Sequence, residues 1–287
     1  MKNRNTILAA TVAAAVLAAT SLWAAQTRTV PLSDLTHVHG VVVDPEDGSR
    51  LLLATHHGVW RTLPDGRAEQ VSDNADDYMG FTAHPKDPAL FYGSGHPATG
   101  GNAGFLVSRD GARTWEQVSA GADGPVDFHA MTVSAADPNV IYGLYGGLQA
   151  SRDGGRTWEV VGSPSGEVYD VAASATDVDT VYAATEAGPS VSSDGGRTWA
   201  DAGAPRRPTS LVEVGKDGTV YAFVVGSGLL RLTVADEEWQ RVSETSPDWI
   251  PLHLALHPDD PARLFAITTE SRIMASEDGG GTWRQLG

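Results

Sequence analysis

Ser151-Arg-Asp-Gly-Gly-Arg-Thr-Trp158 is one of four near-identical eight-residue segments in this chain. The other segments begin at Ser108, Ser192 and Ser276, so successive segments start 43, 41 and 84 residues apart, and 84 is twice 42. A constant period of this size is typical of repeat proteins, in which each unit buries its apolar surface against its neighbours. Because the segment recurs from unit to unit, we assign it to the scaffold and expect any chemistry in residues that differ between units.

Two weaker matches fill the gaps in this series. Trp239 lies 40 residues after Trp199 and 44 residues before Trp283. Residues 64–72 resemble residues 110–119, including the shared Glu-Gln-Val-Ser. The chain therefore contains six units, which agrees with dividing the 254 residues from 34 to 287 by the period.

Each unit is a series of short apolar runs separated by turn residues. Leu252-His-Leu-Ala-Leu-His257 alternates apolar and polar positions, and Leu264-Phe-Ala-Ile267 follows after a Pro/Asp turn. Such alternation, interrupted by Asp-Gly, Pro and Gly, predicts β-strands and hairpins, and no segment after residue 30 has a helical period. Four strands in each of six units predict an all-β fold, a six-bladed β-propeller of four-stranded antiparallel blades. A β-sandwich is the alternative, but it does not explain the period.

The repeated Ser-x-Asp-x-Gly-x-Thr-Trp segment resembles the Asp-box, or BNR repeat, found in propellers of sialidases, sortilin-type receptors, some glucan hydrolases and photosystem assembly factors. Three segments match fully, and the first departs by Ala112 where the family has Gly. The resemblance implies Asp-box turns within propeller blades, and exported bacterial-type members are often labelled glycosyl hydrolases. These families share the turn without sharing one chemistry, so the resemblance implies fold more than function.

Residues 1–25 have the composition of an export signal. Lys2 and Arg4 precede an almost wholly apolar, alanine-rich stretch from Ile7 to Ala25. This pattern predicts a signal peptide and export to the periplasm or the extracellular space. The alternative is an uncleaved N-terminal membrane anchor, because the stretch nearly reaches membrane-spanning length. Residues 26–287 are then predicted to form a single propeller domain.

Composition excludes several classes of function. The chain has no cysteine, which rules out disulfides, thiolate metal sites and cysteine nucleophiles. Its formal net charge is −16 at pH 7, and loss of Lys2 and Arg4 with the signal would make it −18. This charge argues against nucleic acid and anionic lipid as partners and favours cations.

The blade topology predicts on which face each histidine lies. If the strands of a blade run from the axis outwards, the first strand begins and the second ends on one face, here called the upper face. The Asp-box turns join the third and fourth strands and so belong to the lower face, together with His84 and His257. Seven histidines fall on the upper face, and all but the last come from the first three units: His37, His39, His56, His57, His96, His129 and His253.

This convergence predicts a transition-metal site on the upper rim of the first three blades. Imidazole nitrogens, with carboxylates or thioethers nearby, are ligands for copper and zinc. We favour copper because methionine thioethers are soft ligands, and zinc or another divalent ion is the alternative. A hydrogen-bonded polar funnel without an ion would also explain the pattern. The candidate ligands are His37, His39, His56, His57, His96, His129, Met79, Met131 and Asp77.

Two other functions remain open at this stage. A glycoside hydrolase needs two carboxylates flanking a cleft, and Asp77 and Asp127 are the first candidates. A sialidase is not expected, because Arg113, Arg156 and Arg197 belong to the Asp-box segments of the lower face. The third possibility is a non-catalytic scaffold that binds a glycan or another exported protein. The glycine-rich segment 93–104 would then be a candidate recognition loop.

Overall fold

The structure is a computed structural model that describes residues 28–236, 238–243 and 248–287. The predicted signal segment 1–25 therefore lies outside the described residues. Within these ranges the chain forms β-strands and one short 3-10 turn, Leu32–Asp34. In the described part of the chain, no helix has the length and hydrophobicity required to cross a membrane.

The first three sheets use the chain up to residue 162. The first contains β1 (Thr29–Pro31), β2 (Val38–Val43), β3 (Leu51–Thr55), β4 (Gly58–Thr62) and β5 (Arg67–Gln70). The second contains β6 (Asp77–Ala83), β7 (Phe91–His96), β8 (Phe105–Ser108) and β9 (Glu116–Ser119). The third contains β10 (Ala130–Val133), β11 (Ile141–Leu144), β12 (Leu148–Ser151) and β13 (Glu159–Gly162).

The last three sheets repeat this arrangement. The fourth contains β14 (Val168–Ala173), β15 (Val181–Thr185), β16 (Gly188–Ser192) and β17 (Ala200–Asp201). The fifth contains β18 (Thr209–Val214), β19 (Val220–Val224), β20 (Gly228–Leu232) and β21 (Gln240–Arg241). The sixth contains β22 (Pro251–Leu256), β23 (Leu264–Thr268), β24 (Ile273–Ser276) and β25 (Arg284–Gln285).

The six sheets are the blades of a β-propeller, as the sequence predicts. In each sheet consecutive strands pair antiparallel, and β1 adds a fifth strand to the outer edge of the first blade. The first strand of each blade packs against the first strands of its two neighbours, and β22 of the last blade contacts β2 of the first. The ring is therefore closed, with six inner strands around its axis.

Apolar packing between the first and last blades closes the ring. Val41 and Leu53 of the first blade share one buried cluster with Ala255, Phe265 and Ile267 of the last. No strand of the described chain is exchanged between these two sheets, since β2–β5 and β22–β25 are each continuous segments. Burial of apolar surface, which stabilises by about 25 cal/mol per Å², therefore closes this ring. In other rings a shared sheet or a disulfide has this role.

The repeated segments form identical turns. In the third blade the Ser151 hydroxyl donates to Asp153 Oδ1 (2.9 Å) and accepts from the Gly155 amide (2.8 Å). Asp153 also accepts from the Thr157 amide (2.9 Å) and hydroxyl (2.7 Å). The Trp158 indole N–H donates to the Gly155 carbonyl (3.0 Å). Ser151, Asp153, Thr157 and Trp158 therefore satisfy hydrogen-bonding groups of their own turn.

The turns lie on the face that the sequence predicts. The Gly154 amide donates to the carbonyl of Asn139, and the Gly195 amide donates to that of Asp179. Asn139 and Asp179 belong to the connections between the first and second strands of their own blades. The turns of the repeated segments thus share the lower face with those connections, opposite the ends of the second strands.

Candidate metal centre

A channel of about 530 Å³ runs along the propeller axis. His39, His129 and His253, at the starts of the first, third and sixth inner strands, line its upper part. Lys216 and His257, which follow the inner strands of the fifth and sixth blades, line its lower part. Five of the seven upper-face histidines and two aspartates form two clusters on the upper side of the ring.

The first cluster contains His39, His56 and Asp77. The Nε2 atoms of His39 and His56 are 3.2 Å apart, and His56 Nδ1 lies 2.7 Å from Asp77 Oδ2. A carboxylate only accepts, so a neutral His56 carries its proton on Nδ1 and directs the Nε2 lone pair towards His39. One nitrogen of each imidazole and one carboxylate oxygen lie within 4.8 Å of one another, which is compatible with a common metal ion.

His37 completes this cluster through an uncommon backbone conformation. Its φ angle of 53° is in the left-handed region, which few residues other than glycine adopt. The His37 ring centroid lies 4.9 Å from that of His56 and 6.4 Å from that of His39. A strained backbone conformation at a cluster of potential ligands is consistent with a functional constraint on the imidazole position.

A β-bulge positions His39. In the β2–β3 ladder Val38 pairs with Thr55 and Gly40 pairs with Ala54, so His39 is the extra residue. An equivalent bulge occurs in the fourth, fifth and sixth blades, where the extra residue is Tyr169, Ser210 and Leu252, respectively. Bulges redirect a side chain and bend the strand. The fold thus offers an equivalent rim position in these four blades, and the first blade fills it with an imidazole.

The environment of His39 keeps its imidazole neutral. Burial lowers the pKa of His39 to about 4, and repulsion from His56 acts in the same direction. Burial also lowers the pKa of His253 to about 4, with a smaller contribution from His39. Both rings are therefore neutral near pH 7, and the neutral imidazole is the form that binds metal ions.

The second cluster is centred on Asp127. His129 Nε2 lies 2.7 Å and His96 Nε2 lies 3.1 Å from the same oxygen, Asp127 Oδ2. Asp127 is only 4% exposed, whereas the His96 and His129 side chains are 42% and 64% exposed. The carboxylate is therefore fixed in the protein, and the two rings remain open to solvent.

The remaining predicted ligands lie elsewhere. His57 is exposed, and its backbone bonds to the Thr55 hydroxyl and the Trp60 indole. Met131 packs in an apolar cluster with Phe128, and both Met79 and Met131 are 8% exposed. The structure thus unites His37, His39, His56 and Asp77 in one cluster, and places His96 and His129 around Asp127.

Three titratable groups on the axis are not among the ligands or catalytic residues that the sequence predicts. Asp170, Glu213 and His253 line the channel. Burial raises the pKa of Asp170 to about 7, and burial together with Asp170 raises the pKa of Glu213 to about 8. The Asp127-x-His129 spacing in the sequence indicates the second cluster. The alternating pattern of the inner strands does not indicate that Asp170 and Glu213 line the channel.

The carboxylates considered for glycoside hydrolysis are both engaged by histidines. Asp77 pairs with His56, and Asp127 pairs with His96 and His129. The Asp77 side chain is 14% exposed and that of Asp127 is 5% exposed. In this structure each carboxylate therefore orients imidazoles at the rim.

Known proteins of similar structure are propellers. A GH74 xyloglucanase from Xanthomonas campestris superposes with a TM-score of 0.61 at 24% identity, over 91% of this chain and 47% of that one. A GH74 enzyme from Niastella koreensis gives 0.60 at 17% identity, over 88% of this chain and 45% of that one. A gluconolactonase-like protein gives 0.60 at 13% identity, over 92% of this chain and 95% of that one.

These similarities define the class of the protein as a six-bladed β-propeller. The chain spans less than half the length of the GH74 enzymes that it matches. No family model and no curated protein matches the sequence. At such identities the likeness concerns the fold, and function has to be argued from the rim.

Proposed function

We propose that this protein is an exported metal-handling propeller that binds a copper or zinc ion through His39 and His56 on its upper rim, with His37 and Asp77 beside them. The observation that carries the proposal is the 3.2 Å separation of the His39 and His56 Nε2 atoms. Two imidazoles on one tetrahedral ion, each about 2.0–2.1 Å from the metal, have nitrogens roughly 3.3–3.4 Å apart. The two nitrogens are thus spaced as a common metal ion requires.

Asp77 supports the site as a partner of a ligand. Imidazole ligands of metal sites commonly donate their second N–H to a carboxylate, which fixes the tautomer and raises the basicity of the ring. The 2.7 Å contact from His56 Nδ1 to Asp77 Oδ2 is such an arrangement. The bulge at His39 and the left-handed backbone at His37 position the other two rings before any ion arrives.

The donor set favours copper and zinc over harder ions. Imidazole nitrogen suits both, and at a given site copper(II) binds more tightly than zinc in the usual affinity order. The His56 side chain is 41% exposed, so an ion at this position can exchange with solvent. This exposure favours capture and transfer of the ion over a permanent structural role. The net charge of −16 raises the local concentration of cations.

The test is calorimetric titration of the metal-free protein with copper(II) and, separately, with zinc. We expect tight binding by the native protein and one bound equivalent fewer in the double variant His39→Ala/His56→Ala. His57→Ala is the matched control, since His57 is an exposed neighbour of His56. Binding that is absent in the native protein, or equal in the double variant, would refute the proposal.

A panel of β-glucans, including xyloglucan, tests the competing hydrolase assignment in the same preparation. Hydrolysis that is abolished by Asp77→Asn or Asp127→Asn would support paired carboxylate catalysis instead.

A further inference from the structure

We propose that the rim holds a second divalent cation, bound by His96, His129 and Asp127, so that the protein binds two ions. This inference rests on the proposed function in locating metal chemistry at the rim. Its residues, however, are distinct from those of the first position. The inference is supported by the arrangement of protons and lone pairs around His96 and by one buried oxygen of Asp127.

The surroundings of His96 leave one nitrogen without a suitable partner. His96 Nδ1 lies 3.0 Å from the Gly101 carbonyl oxygen, which can only accept a hydrogen bond. The proton of a neutral His96 is therefore on Nδ1, and Nε2 directs a lone pair at Asp127 Oδ2, 3.1 Å away. Two acceptors that face each other at this distance repel unless a positive charge lies between or beside them.

Asp127 supplies a second unmatched acceptor. Asp127 is 4% exposed, and its other oxygen, Oδ1, is buried and has no hydrogen-bond partner among the described residues. An unpaired buried acceptor costs about 1–3 kcal/mol, and more when the group is charged. A divalent cation placed at the carboxylate and His96 Nε2 satisfies both groups at once, since each offers a lone pair.

The polypeptide around the carboxylate is rigid. The Phe128 amide donates to the Ser94 hydroxyl (3.0 Å), and the Phe128 ring is fully buried. Two hydrogen bonds hold the loop after His96. The Ala98 amide donates to Asp76 Oδ1 (2.8 Å), and the Asn102 side-chain amide donates to the Tyr145 hydroxyl (2.9 Å). Asp127 and the backbone of His96 are thus preorganised, and the exposed rings can turn to close on an ion.

The chemistry of the ligands selects the ion. Two imidazoles and one carboxylate form a set that zinc commonly uses, leaving one position for water, and copper(II) accepts the same donors. His129 Nε2 currently donates to Asp127 at 2.7 Å. Binding of an ion through Nε2 therefore requires the proton of a neutral His129 to move to Nδ1, which is a change of tautomer without net release of a proton.

Stoichiometry distinguishes the two positions. In zinc titrations of the metal-free full chain we expect two equivalents for the native protein and for His57→Ala. His96→Ala/His129→Ala and Asp127→Asn should each bind one equivalent, and His39→Ala/His56→Ala should retain one. Circular dichroism and thermal unfolding of every variant would establish that the propeller remains folded.

Each failure has a separate meaning. One equivalent in the native protein that survives in His96→Ala/His129→Ala would overturn the second position and leave the proposed function intact. An equivalent that survives in His39→Ala/His56→Ala and disappears in Asp127→Asn would support the second position even if the first fails. Nitrogen NMR of the metal-free protein adds a further check. Two protonated nitrogens on His96, with no second equivalent of zinc, would show that a proton takes the place of the ion, and would also overturn the inference.

Discussion

Asp77 and His96 lie directly opposite each other on β6 and β7, and each belongs to a different histidine cluster. Asp77 contacts His56 of the first cluster, and His96 contacts Asp127 of the second. Directly paired residues of antiparallel strands have their Cβ atoms about 4.5–5.5 Å apart. The second blade therefore couples the two clusters, because one pair of facing residues contributes to both.

The first prediction concerns the carboxylate behind His56. Asp77→Asn should weaken metal binding about 10- to 100-fold, because a neutral amide orients the imidazole less firmly and lowers its basicity. Chelator competition measures this change in affinity. Asp73→Asn is the control, since the Asp73 side chain makes only a long 3.8 Å contact with Arg113 among the described residues. Equal affinities in all three proteins would contradict the role assigned to Asp77.

The second prediction concerns protonation of His39. Burial lowers its pKa from 6.5 to about 4, so the ring should remain neutral when ordinary histidines are already charged. Its contribution to folding stability is complete above 6.5 and is lost as the pH falls towards about 4. An NMR titration of the metal-free protein should show His39 titrating well below pH 6.5. Titration of His39 near pH 6.5 would show that its ring is more hydrated than the structure indicates.

The sequence predicts the fold because the decisive signals are local and repeated. Asp153 and Gly155 act within their own turn, so the segment specifies the same conformation wherever it occurs. Ala112 shows how far this rule extends: it replaces glycine at φ 67° and is fully buried. At the equivalent Gly155, a Cβ would lie 2.0 Å from the Phe105 ring, so the identity of this residue depends on the neighbouring blade.

The site is less predictable because it depends on bulges and on contacts between blades. The blade topology places four of the histidines on the upper face of the propeller, namely His39, His56, His96 and His129. Their division into two clusters follows from the extra residue at His39 and from the position of Asp127, which pattern alone does not give. The two methionines were expected as ligands from proximity in sequence, and that assignment remains untested. The structure buries both, with Met131 among apolar side chains.

The third prediction concerns the acids of the channel. Burial, together with Asp170, raises the pKa of Glu213 from 4.5 to about 8. A raised pKa means that the folded state favours the protonated acid. The contribution of Glu213 to the free energy of unfolding is therefore greatest below pH 4.5 and is lost as the pH rises through about 8. Glu213→Gln should remove much of this decrease.

Thermal unfolding from mildly acidic to mildly alkaline pH measures the effect. Glu277→Gln serves as the control, because the Glu277 side chain is 70% exposed. A native melting temperature that does not change over this range, or an unchanged pH dependence in Glu213→Gln, would contradict burial of an ionisable pair at the axis.

The fourth prediction separates the scaffold from the site. Asp153→Ala should lower the free energy of unfolding by about 1–3 kcal/mol, because the turn loses several hydrogen bonds to one carboxylate. These bonds lower the pKa of Asp153 to about 2, so their stabilisation is complete above 3.8 and is lost as the pH falls towards 2. Denaturant unfolding should show the largest difference between native and variant near neutral pH and a smaller one in acid.

Asp65→Ala is the matched control, since Asp65 accepts only a 3.3 Å bond from the Arg67 amide in the corresponding turn of the first blade. Metal affinity should be the same in all three proteins, because the turn lies on the lower face. A folded Asp153→Ala protein with greatly reduced metal affinity would contradict the separation of the two faces.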